Sequence, residues 1–166
     1  MQSRRVDRGE PPPGGLLGCL GRRGGTEAAP LGLEKTYVTD THARVLFASG
    51  KAARMSRKCA QIFRRAGQQQ ERVHVSIVCF FELAMLLERG RVKSLLRFAD
   101  WHDRVAQFPA LPIEPLVWDD VREARGLAVL VDPFDRLIAG TPIRLDASLI
   151  TGDERIRASG LVRTIW

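Results

Sequence analysis

From Lys35 onward, short apolar segments alternate with longer segments in which apolar residues recur every three or four positions. The first pattern predicts buried β-strands and the second predicts amphipathic helices. Strands that alternate with helices through short connections are typical of an α/β domain with a mainly parallel sheet. We therefore expect a parallel sheet that is covered by helices on both faces.

The individual elements follow from the same pattern and from helix start and stop signals. Strands are predicted at residues 36–38, 72–75, 112–116, 148–150 and 162–165. Helices are predicted at residues 41–48, 56–69, 76–89, 95–108, 118–130 and 133–144, with a short helix from Glu154. Pro142 falls inside the helix at 133–144, where it removes a backbone hydrogen bond at a cost of about 3 kcal/mol. A shortened or kinked helix is expected there.

Residues 1–33 are rich in Gly, Pro and Arg and have no hydrophobic periodicity. Such a segment buries too little apolar surface to offset its ordering entropy, so we expect a disordered tail. The remaining residues, 34–166, suit one folded domain, since a second core would need a longer chain.

The net charge of +7 resides mainly in the folded part, because the segment before Lys35 has five arginines against four acidic residues. A basic surface attracts RNA, DNA or an acidic protein, and charge does not distinguish them. The three cysteines, Cys19, Cys59 and Cys79, show no CxxC spacing, which favours neither a disulfide framework nor structural zinc. A reducing cytoplasm is the natural location, and no apolar run is long enough to span a membrane.

Two aspartates follow predicted strands. Asp40 comes directly after the first strand, and Asp153 follows the strand at 148–150 after two further residues. Ligands of open parallel sheets bind beyond the carboxyl ends of the strands, so both carboxylates are expected in one crevice. Each could instead be a helix N-cap, because Asp accepts hydrogen bonds from the first helical turn.

A further aspartate, Asp135, has a stronger capping interpretation, with Asp132 as N-cap and Pro133 as the first helical residue. Glu82 favours the alternative. It is the only acidic residue between Ser76 and Leu87, and the positions one helical turn away are apolar. We therefore expect its carboxylate on a buried face, without Lys or Arg within one turn.

An ionised carboxylate on a buried face needs a compensating cation. A divalent metal bound by Glu82 together with Asp40, Asp135 and Asp153 would compensate all four carboxylates at once. Hard oxygen ligands select Mg²⁺ or Mn²⁺ over zinc. Such a site suits phosphodiester hydrolysis, and the Thr151 hydroxyl is a candidate for holding metal-bound water.

The acidic residues stand in four successive motifs. These are Tyr37-Val38-Thr39-Asp40-Thr41-His42-Ala43, Val75-Ser76 leading to Phe81-Glu82-Leu83, Asp132-Pro133-Phe134-Asp135-Arg136-Leu137-Ile138-Ala139, and Leu149-Ile150-Thr151-Gly152-Asp153. In this order and spacing the motifs resemble those of PIN domains in their VapC-like form. The similarity extends from about Tyr37 to the C-terminus.

The resemblance implies a PIN-like three-layer α/β/α fold, Mg²⁺- or Mn²⁺-dependent cleavage of RNA, a homodimer, and inhibition by a cognate VapB-like antitoxin of a type II toxin-antitoxin system. Carried over by motif, Asp40, Glu82, Asp135 and Asp153 form the acidic quartet. Asp135 is chosen over Asp132 because the Arg-Leu-Ile-Ala run follows it. The neighbouring Arg136 is a candidate for contacting substrate phosphates.

Three departures from the family pattern are Val131, where members often have a His shortly before the Asp-Pro pair, Arg44, where many have an apolar residue, and Pro142, where Ala is usual. Pro142 and the altered flank of the third motif leave open a catalytically degenerate module that binds RNA or protein on the same fold. A phosphoryl-transfer protein of the receiver or phosphatase kind is a third hypothesis. It is disfavoured because His42 stands where a second Asp is needed and no Asp ends the third strand at Leu116.

Overall fold

The computed structural model describes residues 35–94 and 96–166, and the predicted tail at 1–33 lies outside them. Five strands form the sheet: β1 (Thr36–Thr39), β2 (Arg72–Ser76), β3 (Ile113–Glu114), β4 (Ser148–Ile150) and β5 (Thr164–Ile165). The α-helices are α1 (Thr41–Ala48), α2 (Arg57–Gly67), α3 (Ile77–Glu88), α4 (Phe98–Ala106), α5 (Trp118–Gly126), α6 (Pro133–Arg144) and α7 (Glu154–Ser159). A 3₁₀ turn at Ala52–Arg54, which the sequence pattern did not predict, separates α1 from α2.

The sheet is entirely parallel, with strand order β3-β2-β1-β4-β5. The chain moves outward from β1 through β2 to β3, then crosses to β4 on the other side of β1. This reversal places a topological switch point between β1 and β4, where ligand crevices form in doubly wound sheets. The predicted α/β fold class is confirmed.

The core lies on the central strands, where Val38, Val73, Val75 and Leu149 are fully buried. Burial of the central strands is expected when helices cover both faces of a parallel sheet. Burial of these side chains fixes the strand ends from which the acidic residues project.

Helix α5 is shorter than predicted, whereas helix α6 has the predicted bounds. Helix α5 ends at Gly126 rather than at residue 130, and a glycine in a helix interior costs about 1 kcal/mol relative to alanine. Leu127 and Leu130 are still buried, but they are carried by a turn. Helix α6 runs without interruption from Pro133 to Arg144 with Pro142 buried inside it, so the expected shortening is not observed.

Candidate active site

Asp40 occupies the switch point between β1 and β4. Its backbone N–H donates to the carbonyl of Ile150 at 3.1 Å, which ties the end of β1 to the end of β4. One side-chain oxygen, Oδ1, accepts the N–H of Ala43 at 2.6 Å, so Asp40 is also the N-cap of α1. Asp40 is therefore a helix cap that lies at the switch point.

Burial has a large effect on this carboxyl. Burial is the largest of the effects that together raise the pKa of Asp40 to about 6. The negative charge of Glu82 acts in the same direction, and hydrogen bonds from Thr151 and Ala43 oppose the shift. A carboxylate that is buried and close to another carboxylate is unfavourable in its ionised form without a cation.

Asp153 is arranged in the same way at the end of β4. Its Oδ1 accepts the N–H groups of Arg155 at 2.8 Å and Ile156 at 3.1 Å, which makes it the N-cap of α7. The Thr151 hydroxyl accepts the N–H of Asp153 at 3.0 Å and is also hydrogen-bonded to Asp40. Thr151 is fully buried and links the two strand-end aspartates.

The two acids of the third motif have different positions. Asp132 is exposed and caps α6 by accepting the N–H of Phe134 at 2.8 Å. Asp135 is half-buried in the first turn, and its pKa is raised to about 6. Burial is the largest cause, followed by the negative charges of Asp132, Asp153, Glu82 and Asp40.

Glu82, on α3, is the remaining member of the predicted acidic quartet. The structure corrects the prediction of a buried face, because Glu82 is half-buried and lines an open cleft. Cys79 and Leu86 on the same helix are buried, as the helical spacing indicated. Helix α3 packs with its apolar side on the core, and Glu82 lies where that side meets solvent.

The cleft has a volume of about 620 Å³. Its lining comprises the acids Glu82, Asp132, Asp135 and Asp153, the bases His42, Arg89, Arg91 and Arg155, and the apolar residues Met85, Leu86, Val92 and Phe134. Asp40 is not part of the lining, but its charge acts on Asp135. Three members of the predicted quartet thus share one cleft, and the fourth is their electrostatic neighbour.

The side chains as placed do not form a closed coordination cage. Within residues 35–94 and 96–166, no group of three or more His, Cys, Asp or Glu side chains is arranged so that it could hold a metal ion. The donor set nevertheless consists of carboxylate and hydroxyl oxygens, which are the ligands that Mg²⁺ and Mn²⁺ prefer.

Sequence reasoning missed the role of Arg155 and Phe134 in lining the cleft. Arg155 had one available signal, since it lies two residues after Asp153 at the start of a helix.

Arg136 is placed differently from the substrate-contacting residue that the sequence suggested. Its guanidinium donates to the carbonyl of Leu130, and to the carbonyl of Ala128 at 3.1 Å. Arg136 thereby fastens the turn before α6, and it is not among the residues that line the cleft.

Comparison with known families matches residues 37–160 to the PIN domain model. The chain therefore belongs to the PIN domain family, whose members are generally nucleases. A search among curated proteins gave no match.

Solved structures show the same fold at low sequence identity. VapBC2 from Rickettsia felis, bound to a DNA fragment from its promoter, contains a chain with 16% identity and a TM-score of 0.57; the alignment covers 79% of this chain and 98% of that one. DNA-bound VapBC from Salmonella typhimurium gives 16% identity and a TM-score of 0.51, with coverage of 79% and 97%. In the part of this chain that the structure describes, none of the helices has the length and apolar character needed to cross a bilayer.

Proposed function

We propose that this PIN domain is a metal-dependent endoribonuclease and the toxin of a type II toxin-antitoxin pair. One observation carries the proposal: Glu82, Asp132, Asp135 and Asp153 line a single cleft, and the charge of the neighbouring Asp40 also acts on Asp135. Repulsion of this kind destabilises a protein unless a cation is bound there. A structural role for these acids would not require them to converge.

Mg²⁺ or Mn²⁺ suits the site without a preformed cage of three protein ligands. Mg²⁺ dehydrates reluctantly and is commonly held by one or two carboxylates, with water and substrate phosphate completing its shell. Asp40 and Asp153 each use Oδ1 for a helix cap, which fixes the direction of the carboxyl group and leaves Oδ2 facing away from that bond. Asp135 and Glu82 complete the donor set. Thr151 is hydrogen-bonded to both capped aspartates and links their positions.

The chemistry divides between the ion and the protein. When bound, the divalent ion would supply a nucleophilic water at neutral pH and neutralise charge on the phosphate. Arg89, Arg91 and Arg155 line the same cleft and are placed to bind the flanking phosphates of a polyanion. The overall positive charge favours association with RNA in the cytoplasm, where we place the protein.

The partners follow from the family resemblance. The structural neighbours from Rickettsia felis and Salmonella typhimurium are VapBC assemblies, which supports a VapB-like antitoxin as the cognate inhibitor of this chain. A homodimer belongs to the same proposal. The exposed apolar side chains Ile77 and Val131 are candidates for burial in such contacts.

A catalytically degenerate binding module is the second candidate. It is favoured by one observation, the absence of a three-ligand metal group among the residues described in the structure. On this hypothesis RNA is bound by the arginines of the cleft but is not cut.

The test is cleavage of a mixed RNA pool by the purified protein, with Mg²⁺ or Mn²⁺ and with chelator. We expect metal-dependent cutting that is lost in Asp135→Asn. Asp103→Asn is the matched control, because Asp103 is exposed on α4 and is not among the residues that line the cleft. Retention of full activity by Asp135→Asn would reject the quartet, and RNA binding without cutting by the wild type would support the degenerate module.

A further inference from the structure

Two phenylalanines form a pair at the edge of the acidic cleft. Phe81 is on α3 immediately before Glu82, and Phe134 is on α6 immediately before Asp135. Their ring centres are 5.6 Å apart and the planes are inclined by 42°. Although the rings contact each other, Phe81 remains 58% exposed. The pair therefore leaves a large aromatic surface in solvent next to two of the quartet carboxylates.

The residues around the Phe81–Phe134 pair favour one kind of ligand. Phe134 lines the cleft itself, together with Arg89, Arg91 and Arg155. Aromatic faces, guanidinium groups and a carboxylate centre in one cleft match the parts of a nucleotide strand, namely bases, phosphates and a scissile bond. Proteins that bind single strands combine these elements, because every base has a face that stacks and every linkage carries a charge.

We propose that Phe81 and Phe134 form a stacking platform for one unpaired base of single-stranded RNA, next to the phosphate that is cut. The inference rests on the proposed nuclease function and names the form of its substrate. In an A-form duplex the bases are stacked on one another, and their faces are not available to a protein ring. The platform therefore selects single-stranded segments over duplex RNA.

The test measures binding of a single-stranded RNA oligonucleotide that contains 2-aminopurine, whose fluorescence is quenched by stacking. Asp135→Asn serves as the background, because it blocks the proposed cleavage and reduces repulsion of the strand. We expect Phe81→Leu in this background to weaken binding about tenfold and to relieve the quenching. Phe81→Trp retains an aromatic face and should retain both signals.

Phe98→Ala is the matched control, because Phe98 is 45% exposed on α4 and is not among the residues lining the cleft. It should bind the oligonucleotide as the background protein does. Binding by Phe81→Leu that equals the background, with unchanged quenching, would overturn the platform. Equal binding of duplex and single-stranded RNA would overturn it as well.

A second copy of the chain is the competing occupant of this aromatic surface. If Phe81→Leu turns a dimer into a monomer in sedimentation experiments while RNA affinity stays the same, the surface is an interface between copies and the platform is rejected.

Cleavage by the wild type is measured separately, so that the nuclease proposal and the platform can be distinguished. If no RNA is cut but quenching still depends on Phe81, the nuclease proposal fails and the platform stands. If the wild type cuts RNA, and Phe81→Leu cuts and binds it equally well, the platform fails and the nuclease proposal stands.

Discussion

The guanidinium carbon of Arg44 lies 4.4 Å from the centre of the Phe80 ring, inside the protein. Trp101 lies on the same group at 5.5 Å, and Arg44 is 2% exposed. None of its three side-chain nitrogens has a hydrogen-bond partner. Burial lowers the pKa of Arg44, which reflects the cost of keeping this charge away from water. The two aromatic faces compensate only part of that cost.

Arg44→Leu should therefore stabilise the protein, by about 2 kcal/mol, since an apolar side chain replaces an unpaired buried charge. Thermal and urea unfolding measure the change. Arg104→Leu is the matched control, because Arg104 lines a small cavity together with Arg44 but is exposed. It should change stability by less than about 0.5 kcal/mol. A lower unfolding midpoint for Arg44→Leu would mean that the charge has a partner in solution.

The acidic cleft should make the metal-free protein less stable as the pH rises. The pKa values of Asp40 and Asp135 are raised from 3.8 to about 6, so the folded state binds protons more tightly than the unfolded state. The stability contributed by the protonated carboxyls is full below about pH 3.8 and is lost as pH rises through about 6.

Unfolding in chelator at pH 4.5 and pH 7.5 tests this linkage. At the higher pH, Asp135→Asn should be more stable than the wild type by about 1 kcal/mol, a figure reduced for the partial exposure of Asp135. Mn²⁺ or Mg²⁺ should stabilise the wild type more than the variant. Equal responses of both proteins to pH and to metal would contradict a shared cation site.

A tight contact lies beside the last acidic motif. A Cβ atom on Gly152 would come within 2.8 Å of the Trp166 indole, so Gly152→Ala must displace that ring. We expect a loss of about 1 kcal/mol and altered tryptophan fluorescence. Gly126→Ala is the control, because nothing lies within 4 Å of the added atom; it should be neutral or slightly stabilising. Unchanged fluorescence in Gly152→Ala would show that Trp166 does not rest on this turn.

The ion pair between Arg144 and Asp120 joins α6 to α5 and is buried on the Asp120 side. Nε of Arg144 lies 2.7 Å from Oδ1 of Asp120, which is fully inaccessible to solvent. Arg144→Met leaves the buried Asp120 carboxylate without its cation, with only the N–H of Val117 donating to it at 3.0 Å, and also removes the ion pair of Arg144 with Glu114. It should destabilise the fold by about 3 kcal/mol. Arg163→Met removes an exposed pair with Asp146 and should cost less than about 1 kcal/mol.

Chemical denaturation of both variants, and of the double variant Arg144→Met with Asp120→Leu, completes this test. The double variant should recover much of the lost stability, because it removes the orphaned charge. If Arg144→Met and Arg163→Met lower the free energy of unfolding by the same amount, the buried ion pair contributes no more to stability than the exposed one.

Much of the fold could be inferred from local pattern. Apolar runs located the strands, and the caps at Ser56, Ser76 and Asp132 are local signals because an N-cap bonds within its own first turn. The aspartates after β1 and β4 could be assigned to one crevice since parallel strands end at the same edge. These features depend on residues that are neighbours in sequence.

Other features depend on how distant segments pack. Arg44 occupies an otherwise apolar helix position, and only the placement of Phe80 and Trp101 against it reveals an unpaired charge in the core. The same holds for Glu82, whose half-buried position reflects where α3 leaves the sheet. Arg144 meets Asp120 across 24 positions of sequence, a pairing that no spacing rule predicts.

Periodicity and capping are properties of a single turn of chain, and the amino-acid order therefore specifies them directly. Which charged residues line one cleft depends on how segments that are distant in sequence pack together. Arg155 and Phe134 reach the carboxylates because α6 and α7 both start at the same edge of the sheet. Burial and electrostatic repulsion at that edge arise from the packed arrangement, and they raise the pKa values of Asp40 and Asp135.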